Sequence, residues 1–331
     1  MRIDEIKLVI VGATGLVGNK VLEIMTEREI SPAKIEFVAS ERSSGKTIIY
    51  NGKESRVITL DEAIKKRFDI AIFAAGSKVS IKWAPRFAEN GSIVIDKSSA
   101  WRTDPKCPLV VPQVNPEALD DIPKKIVASP NCSTSGLVIA LKPILARFGI
   151  PQYIFVATYQ SVSGAGKRGN YALQKQRKGD TCTGIFEKSI FDNVIPIIGE
   201  IDEFGFNIEE TKLVAETRKI LGAPELNITA TAVRIPIMLS HSEAVTLVFD
   251  SPTPAAEAIK NLTTAPGLKL IQIPDYPTPL EAADIDDVLV GRIRNTPSNL
   301  NILSMFISFD NLRRGAASNA VDLMEVMARK L

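Results

Sequence analysis

One histidine serves the whole 331-residue chain, and only three cysteines accompany it. Cys107, Cys132 and Cys182 are too few and too scattered for a disulfide framework or a zinc ligand set, so a reducing compartment is the default. Neither sign of charge dominates. A net charge of +2 gives no electrostatic basis for binding nucleic acid or an anionic membrane. Long hydrophobic runs are also missing: the stretch from Leu137 to Leu145 is broken by Lys142 and Pro143, which excludes a membrane span there. There are no internal repeats and no low-complexity tracts. The first residues, Met1-Arg2-Ile3-Asp4-Glu5-Ile6-Lys7, are charged and run straight into a strand-like segment, unlike a signal peptide. These absences leave a cytoplasmic globular protein, long enough for two domains with cores of their own.

What is present begins with a nucleotide fold. Lys7 to Val11 is an apolar run rich in Val and Ile, as a buried parallel strand requires. Gly12-Ala13-Thr14-Gly15-Leu16-Val17-Gly18 follows, and then an amphipathic helical pattern through Met25. Strand, glycine turn and helix in that order form the phosphate-cradling start of a doubly wound sheet. The spacing is G-x-x-G-x-x-G rather than the commoner G-x-G-x-x-G, and by itself it also fits a turn without a ligand. Lys34 to Ala39 reads as the second strand. At its end stands Ser40-Glu41-Arg42-Ser43, where hydroxyls and a guanidinium suit a 2′-phosphate, favouring NADP(H) with NAD as the weaker alternative. Glu41 is a contrary sign, and a solvated polar loop is the competing reading. Further strands fall at Phe68 to Ala75, ending in Gly76-Ser77, and at Ser92 to Asp96. Arg102, in the polar loop after the latter, suits an anion clamp or a solvated position equally.

The stretch that organises the chain is Ser129-Pro130-Asn131-Cys132-Ser133-Thr134-Ser135-Gly136, between an extended run, Lys125 to Ala128, and a helical run, Leu137 to Phe148. Pro130 disfavours helix at Ser129, so a helix is expected to start just after it. Cys132 then lies in the first turn, at the positive end of the helix dipole. Such a place lowers a thiol pKa and supplies donors for an oxyanion beside the sulfur. Beyond it the texture changes. Tyr153 to Gln160, Asn227 to Arg234, Ser242 to Asp250 and Asn301 to Ser308 read as strands of a mixed sheet with helices on one face. The boundary falls near residue 130, with Cys132 at the seam where a cleft would form.

Three features of this second part bear on chemistry. The turn Gln160-Ser161-Val162-Ser163-Gly164-Ala165-Gly166 lets a ligand approach the backbone, or is a plain turn. Glu209 and Lys212 share a helix face, as most surface ion pairs of that spacing do. His241 must supply any imidazole that catalysis near neutral pH requires, although a lone histidine is more often structural. The chain ends in a helix carrying Ala320, Val321, Leu323, Met324, Val326 and Met327, expected to return to the nucleotide domain.

In this order the segments resemble the aspartate-β-semialdehyde dehydrogenase family nearly end to end. The resemblance is carried by Gly12 to Gly18, Ser40 to Ser43, Ser98 to Arg102, Val111 to Pro116, Ser129 to Thr134, Thr158 to Gly166, Arg234 to Pro236, Ser240 to Glu243, Val290 to Arg294 and Asp310 to Leu312. It implies an N-terminal Rossmann-type doubly wound domain (1–130 and 313–331) and an α+β catalytic and dimerisation domain (131–312). It also implies NADPH-dependent reductive dephosphorylation of aspartyl phosphate to aspartate semialdehyde, in biosynthesis of lysine and diaminopimelate, threonine, methionine and isoleucine. Cys132 is then similar to the nucleophile, His241 to the acid/base and Gln160 to the residue orienting the acyl intermediate. Arg234 resembles the grip on the substrate α-carboxylate, and Glu209 the partner of its amino group. Arg102, Asn131 and Lys212 resemble the phosphate site. Gly12, Thr14, Gly15, Leu16, Val17, Ser40, Arg42, Ser43, Ala75, Gly76, Ser163, Gly164 and Asn319 resemble the cofactor contacts, Asn319 beside the nicotinamide. No metal, nucleic acid or membrane is implied; a homodimer or dimer of dimers is. Two other readings are an N-acetyl-glutamyl-phosphate reductase, whose cysteine stretch differs, and a cofactor-binding protein without catalysis, which would lack some of Cys132, Gln160, Arg234 and His241. The stretch from Lys167 to Ile201, with Cys182 and the basic run Lys175 to Lys178, is shorter than that family usually has.

Overall fold

The structure is a computed structural model, and it describes residues 1–181 and 184–331. Cys182 lies outside the described residues. The chain divides into two compact units, Met1–Asn131 with Ala316–Leu331, and Cys132–Gly315.

The first unit is built on five parallel strands, in the spatial order Lys34–Val38, Lys7–Val11, Ile70–Phe73, Ile93–Asp96 and Ile126–Ala128. Alternation along each strand sends side chains to two separate cores. Leu8, Ile10, Ile72 and Ile95 pack with residues of the helices Leu16–Glu27 and Ser318–Lys330. Val9, Val11, Phe73 and Val94 pack with Trp83 and Phe87 of the helix Ser77–Glu89. The C-terminal helix thus belongs to the nucleotide unit, because its Ala320, Val321, Leu323 and Met324 are needed to close one face of that sheet. A short hairpin, Thr47–Tyr50 with Lys53–Arg56, was not legible in the sequence.

The second unit is a mixed six-stranded sheet, in the order Leu268–Ile271, Val288–Thr296, Asn299–Phe309, His241–Val248, Tyr153–Gln160 and Ile228–Arg234. The outer pairs are parallel and the central ones antiparallel. In Tyr153–Gln160 the pleat buries Ile154, Val156, Thr158 and Gln160 and turns Tyr153, Phe155 and Tyr159 outward. The helix Cys132–Phe148 is buried along most of its length through Leu137, Val138, Ile139, Ala140, Leu141 and Ile144. It seats directly on the sheet at Gly136, where a Cβ would stand 2.4 Å from the Phe309 ring. Among the described residues, no helix is long and apolar enough to cross a membrane.

Candidate active site

Four strand ends of the second unit lie side by side. Arg234 is the register partner of Gln160, Gln160 of His241, and His241 of Phe309. Partners in register share a face of the pleat, and all four residues are buried. The row therefore presents a guanidinium, an amide, an imidazole and an aromatic ring on one side of the sheet. The helix that begins at Cys132 sits over the Phe309 end of this row, since Gly136 rests on the Phe309 ring. This arrangement puts Cys132 Sγ 3.5 Å from His241 Nε2. Cys132 is half-buried, so a small molecule can reach the sulfur, whereas the imidazole is fully enclosed.

His241 is held from its other nitrogen. Nδ1 accepts from the Ser161 backbone N–H at 3.1 Å and stands 3.2 Å from the Ser161 hydroxyl. Its ring meets Phe309 edge to face at 6.1 Å between centroids. Burial pushes the His241 pKa down to about 3, helped by the Arg234 charge and opposed weakly by the Ser240 backbone. The imidazole is neutral at any physiological pH.

Arg234 donates to the Ser161 carbonyl at 2.7 Å and to Gln160 Oε1 at 3.5 Å. Gln160 in turn donates to Thr158 Oγ1 at 3.2 Å. Burial lowers the Arg234 pKa, while Cys132 and Glu209 act in the opposite direction. Glu209 is ion-paired with Lys212 at 2.9 Å in the first turns of the helix Ile208–Leu221. Ser163 and Gly164 lie in the short turn Val162–Ala165 that follows the Gln160 strand. A Cβ at Gly164 would stand 2.8 Å from Arg234 Nη1 and 3.4 Å from His241 Nε2, so only glycine leaves that corner open.

The remaining residues singled out in the sequence lie in the first unit. Thr14 and Gly15 form the turn before the helix Leu16–Glu27, which Leu16 and Val17 open. At Gly12, φ is +90°, and a Cβ would stand 2.6 Å from the Ala74 carbonyl oxygen. Only glycine satisfies both demands. Ala75 and Gly76 follow the neighbouring strand, and Gly76 caps the helix Ser77–Glu89. Ser40 precedes the single turn Glu41–Ser43, whose Arg42 is exposed. Arg102 is buried and donates to the Ser129 and Lys97 carbonyls, each at 2.9 Å. Asn131 ends the first unit, half-buried. Asn319 donates to Ser129 Oγ at 2.6 Å and to the Val110 carbonyl at 3.0 Å, while its buried Oδ1 has no partner among the described residues. A helix N-terminus behind a glycine turn and a buried, unfilled amide acceptor together fit a dinucleotide carrying phosphates and a carboxamide.

Three residues of this neighbourhood escaped the sequence reading. Ser161 donates to His241 from its backbone N–H, Asn311 accepts from the Ser161 hydroxyl, and Ser129 anchors Asn319. Each lay inside a segment that carried the resemblance, but nothing in the local pattern marks a hydroxyl or amide as a hydrogen-bond hub.

Fold and side chains define a class: a Rossmann-type unit joined to a sheet unit that presents a thiol–imidazole pair. Residues 7–122 match the model of the semialdehyde dehydrogenase NAD binding domain, and residues 141–314 that of the semialdehyde dehydrogenase dimerisation domain. The chain is 44% identical to the aspartate-semialdehyde dehydrogenase of Aquifex aeolicus, over 98% of each protein. The crystal structure of aspartate semialdehyde dehydrogenase II from Vibrio cholerae is 42% identical, with a TM-score of 0.93 over 98% of this chain and 99% of that one. A second structure of that Vibrio cholerae protein, complexed with ASA, gives 41% and 0.93. The chain belongs to the aspartate-semialdehyde dehydrogenase family.

Proposed function

We propose that Cys132 is the nucleophile through which this family member interconverts L-aspartyl-4-phosphate and aspartate semialdehyde, with His241 as its proton-handling partner. The observation that carries the reading is the 3.5 Å approach of Cys132 Sγ to the only imidazole in the chain. In the biosynthetic direction the sulfur attacks the acyl carbon, the carbonyl electron pair moves to oxygen, and its return expels phosphate to leave a thioester on Cys132. An acyl phosphate is already activated, so the residues need only position it and stabilise charge. On release of the aldehyde the C=O bond reforms and the C–S electron pair returns to sulfur. Helix-terminal placement favours sulfur as thiolate in both roles.

The neighbouring side chains suit the rest of the substrate. Arg234, fixed at the end of its strand, offers a rigid fork for the α-carboxylate, and Glu209 offers a carboxylate for the ammonium. Gln160 stands between Arg234 and His241 in the row, where an amide can orient an acyl group held on Cys132. Arg102, Asn131 and Lys212 are the phosphate-binding candidates on the strength of their chemistry and of the family resemblance.

When bound, the nicotinamide nucleotide supplies the hydride in one direction and takes it up in the other. Gly12, Thr14, Gly15, Leu16 and Val17 would hold its phosphates, and Asn319 Oδ1 would accept from its carboxamide. Ala75, Gly76, Ser163 and Gly164 are the further candidate contacts. Ser40, Arg42 and Ser43 support NADP over NAD, because a guanidinium and two hydroxyls match a 2′-phosphate. The outward aromatic face of the second sheet, with Tyr153 and Phe155 stacked and Tyr159 against Phe306, supports a homodimer.

The test is an assay with aspartate semialdehyde, phosphate and NADP, following NADPH absorbance, repeated with NAD. Phosphate-dependent reduction preferring NADP is expected. No turnover with either cofactor would remove the reading, and equal rates would remove the cofactor preference alone.

A further inference from the structure

Arg234 is the last residue of the strand Ile228–Arg234, and that strand lies at one edge of the six-stranded sheet. Bonds inward to the Gln160 strand come from its neighbours: the Ile235 N–H reaches the Gln160 carbonyl at 2.9 Å. The backbone of Arg234 itself faces the outer edge, where a strand ordinarily leaves its donor and acceptor without a ladder partner. Here both are taken. The Arg234 N–H donates to the Ile195 carbonyl at 2.8 Å, and the Ile195 N–H donates to the Arg234 carbonyl at 2.9 Å. Ile195 comes from the stretch Lys167 to Ile201, to which the proposed chemistry assigns no part.

Ile195 is delivered to that edge by one buried amide. Gln176, the last residue of the helix Gly166–Gln176, is 5% exposed. Its Oε1 accepts from the Ser189 hydroxyl at 3.1 Å, the Ile190 N–H at 3.0 Å and the Phe191 N–H at 2.9 Å. The chain then turns back, with the Asn193 N–H bonded to the Ile190 carbonyl at 3.2 Å and Asp192 at φ of +56°. Ile195 follows two residues later. Leu173, one turn before Gln176 on the same helix face, is buried with Val162 and Ile190, and Phe186, Ile195 and Met238 pack against them. Val162 adjoins Ser161, whose carbonyl receives Arg234 Nη1 at 2.7 Å. One small core therefore backs both the end of the Arg234 strand and the carbonyl that aims its guanidinium.

We propose that Gln176 is a positioning residue for the substrate α-carboxylate: by gathering Ser189, Ile190 and Phe191 on one oxygen, it seats Ile195 against Arg234 and so fixes the guanidinium. This deepens the reading of Arg234 as the carboxylate grip and rests on it. Strand ends open locally unless something holds them. A planar fork that recognises a carboxylate through two parallel bonds tolerates little displacement. None of the three bonds to Gln176 Oε1 involves Cys132 or His241, so its loss weakens binding of the aldehyde more than the chemistry at sulfur. The stretch from Lys167 to Ile201 thereby takes part in substrate selection without touching the substrate.

Gln176→Ala removes the gathering oxygen, and Ile195→Pro removes the N–H given to Arg234 while leaving Gln176 in place. In each, KM for aspartate semialdehyde is expected to rise about fivefold or more, with kcat and the KM for phosphate moving less than about twofold. The Arg234 amide proton, followed by NMR, should exchange with solvent about tenfold faster or more, while the amides of the strand His241–Val248 keep parental rates. Where Gln176→Ala does not fold, Ile195→Pro decides. A parental KM for the aldehyde, or kcat and both KM values altered alike, would overturn the proposal, and so would parental exchange at Arg234. Exchange needs no substrate, so it separates this proposal from the function reading: a parent inactive on aspartate semialdehyde sinks the latter, and unchanged exchange in the variants sinks the role of Gln176 alone.

Discussion

Gln160 and His241 are direct partners across an antiparallel strand pair, and each stands at the end of its own strand. Their separation is therefore set by backbone hydrogen bonds rather than by loops. Arg234 extends the same row through the parallel pairing of its strand with that of Gln160. A site built on strand ends is held more rigidly than one built on loops, as a reaction that depends on positioning requires.

The sulfur is the first point to test. Cys132→Ala should lower phosphate-dependent turnover on the order of 10⁴-fold or more, as loss of a nucleophile does. Its affinity for the dinucleotide should be unchanged, because the glycine turn lies in the other compact unit. Rate measurements alongside fluorescence titration of the cofactor check both halves. Turnover at the parental rate would remove the nucleophile assignment.

Replacing the guanidinium by an ammonium probes the carboxylate grip. Arg234→Lys loses the planar fork and the bond to the Ser161 carbonyl. KM for aspartate semialdehyde should rise about tenfold or more, with a smaller effect on kcat. Steady-state kinetics matching the parent would mean that the clamp lies elsewhere.

His241 also shapes stability. Its folded pKa, about 3, is below its ordinary 6.5. Between those values the unfolded chain binds the proton and the folded protein does not, so this group's contribution is present above pH 6.5 and lost as pH falls. The slope is about 1.4 kcal/mol per pH unit for one such group. Denaturant titrations of the parent and His241→Asn at pH 7, 6 and 5 should show a shallower decline in the variant. Parallel curves would count against a neutral buried ring.

Glu243 has the opposite sign. It is fully buried, neither carboxylate oxygen has a partner among the described residues, and burial raises its pKa well above 4.5. The folded protein keeps this proton after the unfolded chain has released it, so stability is lost as pH rises from 4.5 towards the folded pKa. The stability of Glu243→Gln relative to the parent should be greater at pH 8 than at pH 5, because only the parent must hold a buried carboxyl protonated as pH rises. Thermal melts at pH 5 and pH 8 read this directly; a difference independent of pH would contradict it.

Much of the fold was legible because it is written locally. The Val- and Ile-rich run Lys7–Val11, the glycine turn and the helix behind it follow from composition and period. Pro130 marks where the Cys132 helix begins. The strand Val288–Thr296 was less so. Arg292, Arg294 and a register shift between Gly291 and Arg294 interrupt its alternation, and Arg292 has φ of +55°. The resemblance named Cys132, Gln160, Arg234 and His241 without stating how they meet. Their row is a product of long-range strand pairing, which no short window of sequence encodes. Glu243, to which the sequence assigns no orientation, lies on the inward side with His241, Val245 and Leu247.

The two-residue period of the strand His241–Val248 has one further implication. His241, Glu243, Val245 and Leu247 point inward, whereas Ala244, Thr246 and Val248 keep partial exposure on the opposite side. Mutational drift on that second side can alter the exposed surface while the inward row stays untouched. A single-residue insertion early in the strand has no such freedom, for it would exchange the two sides and carry the inward residues out to the surface.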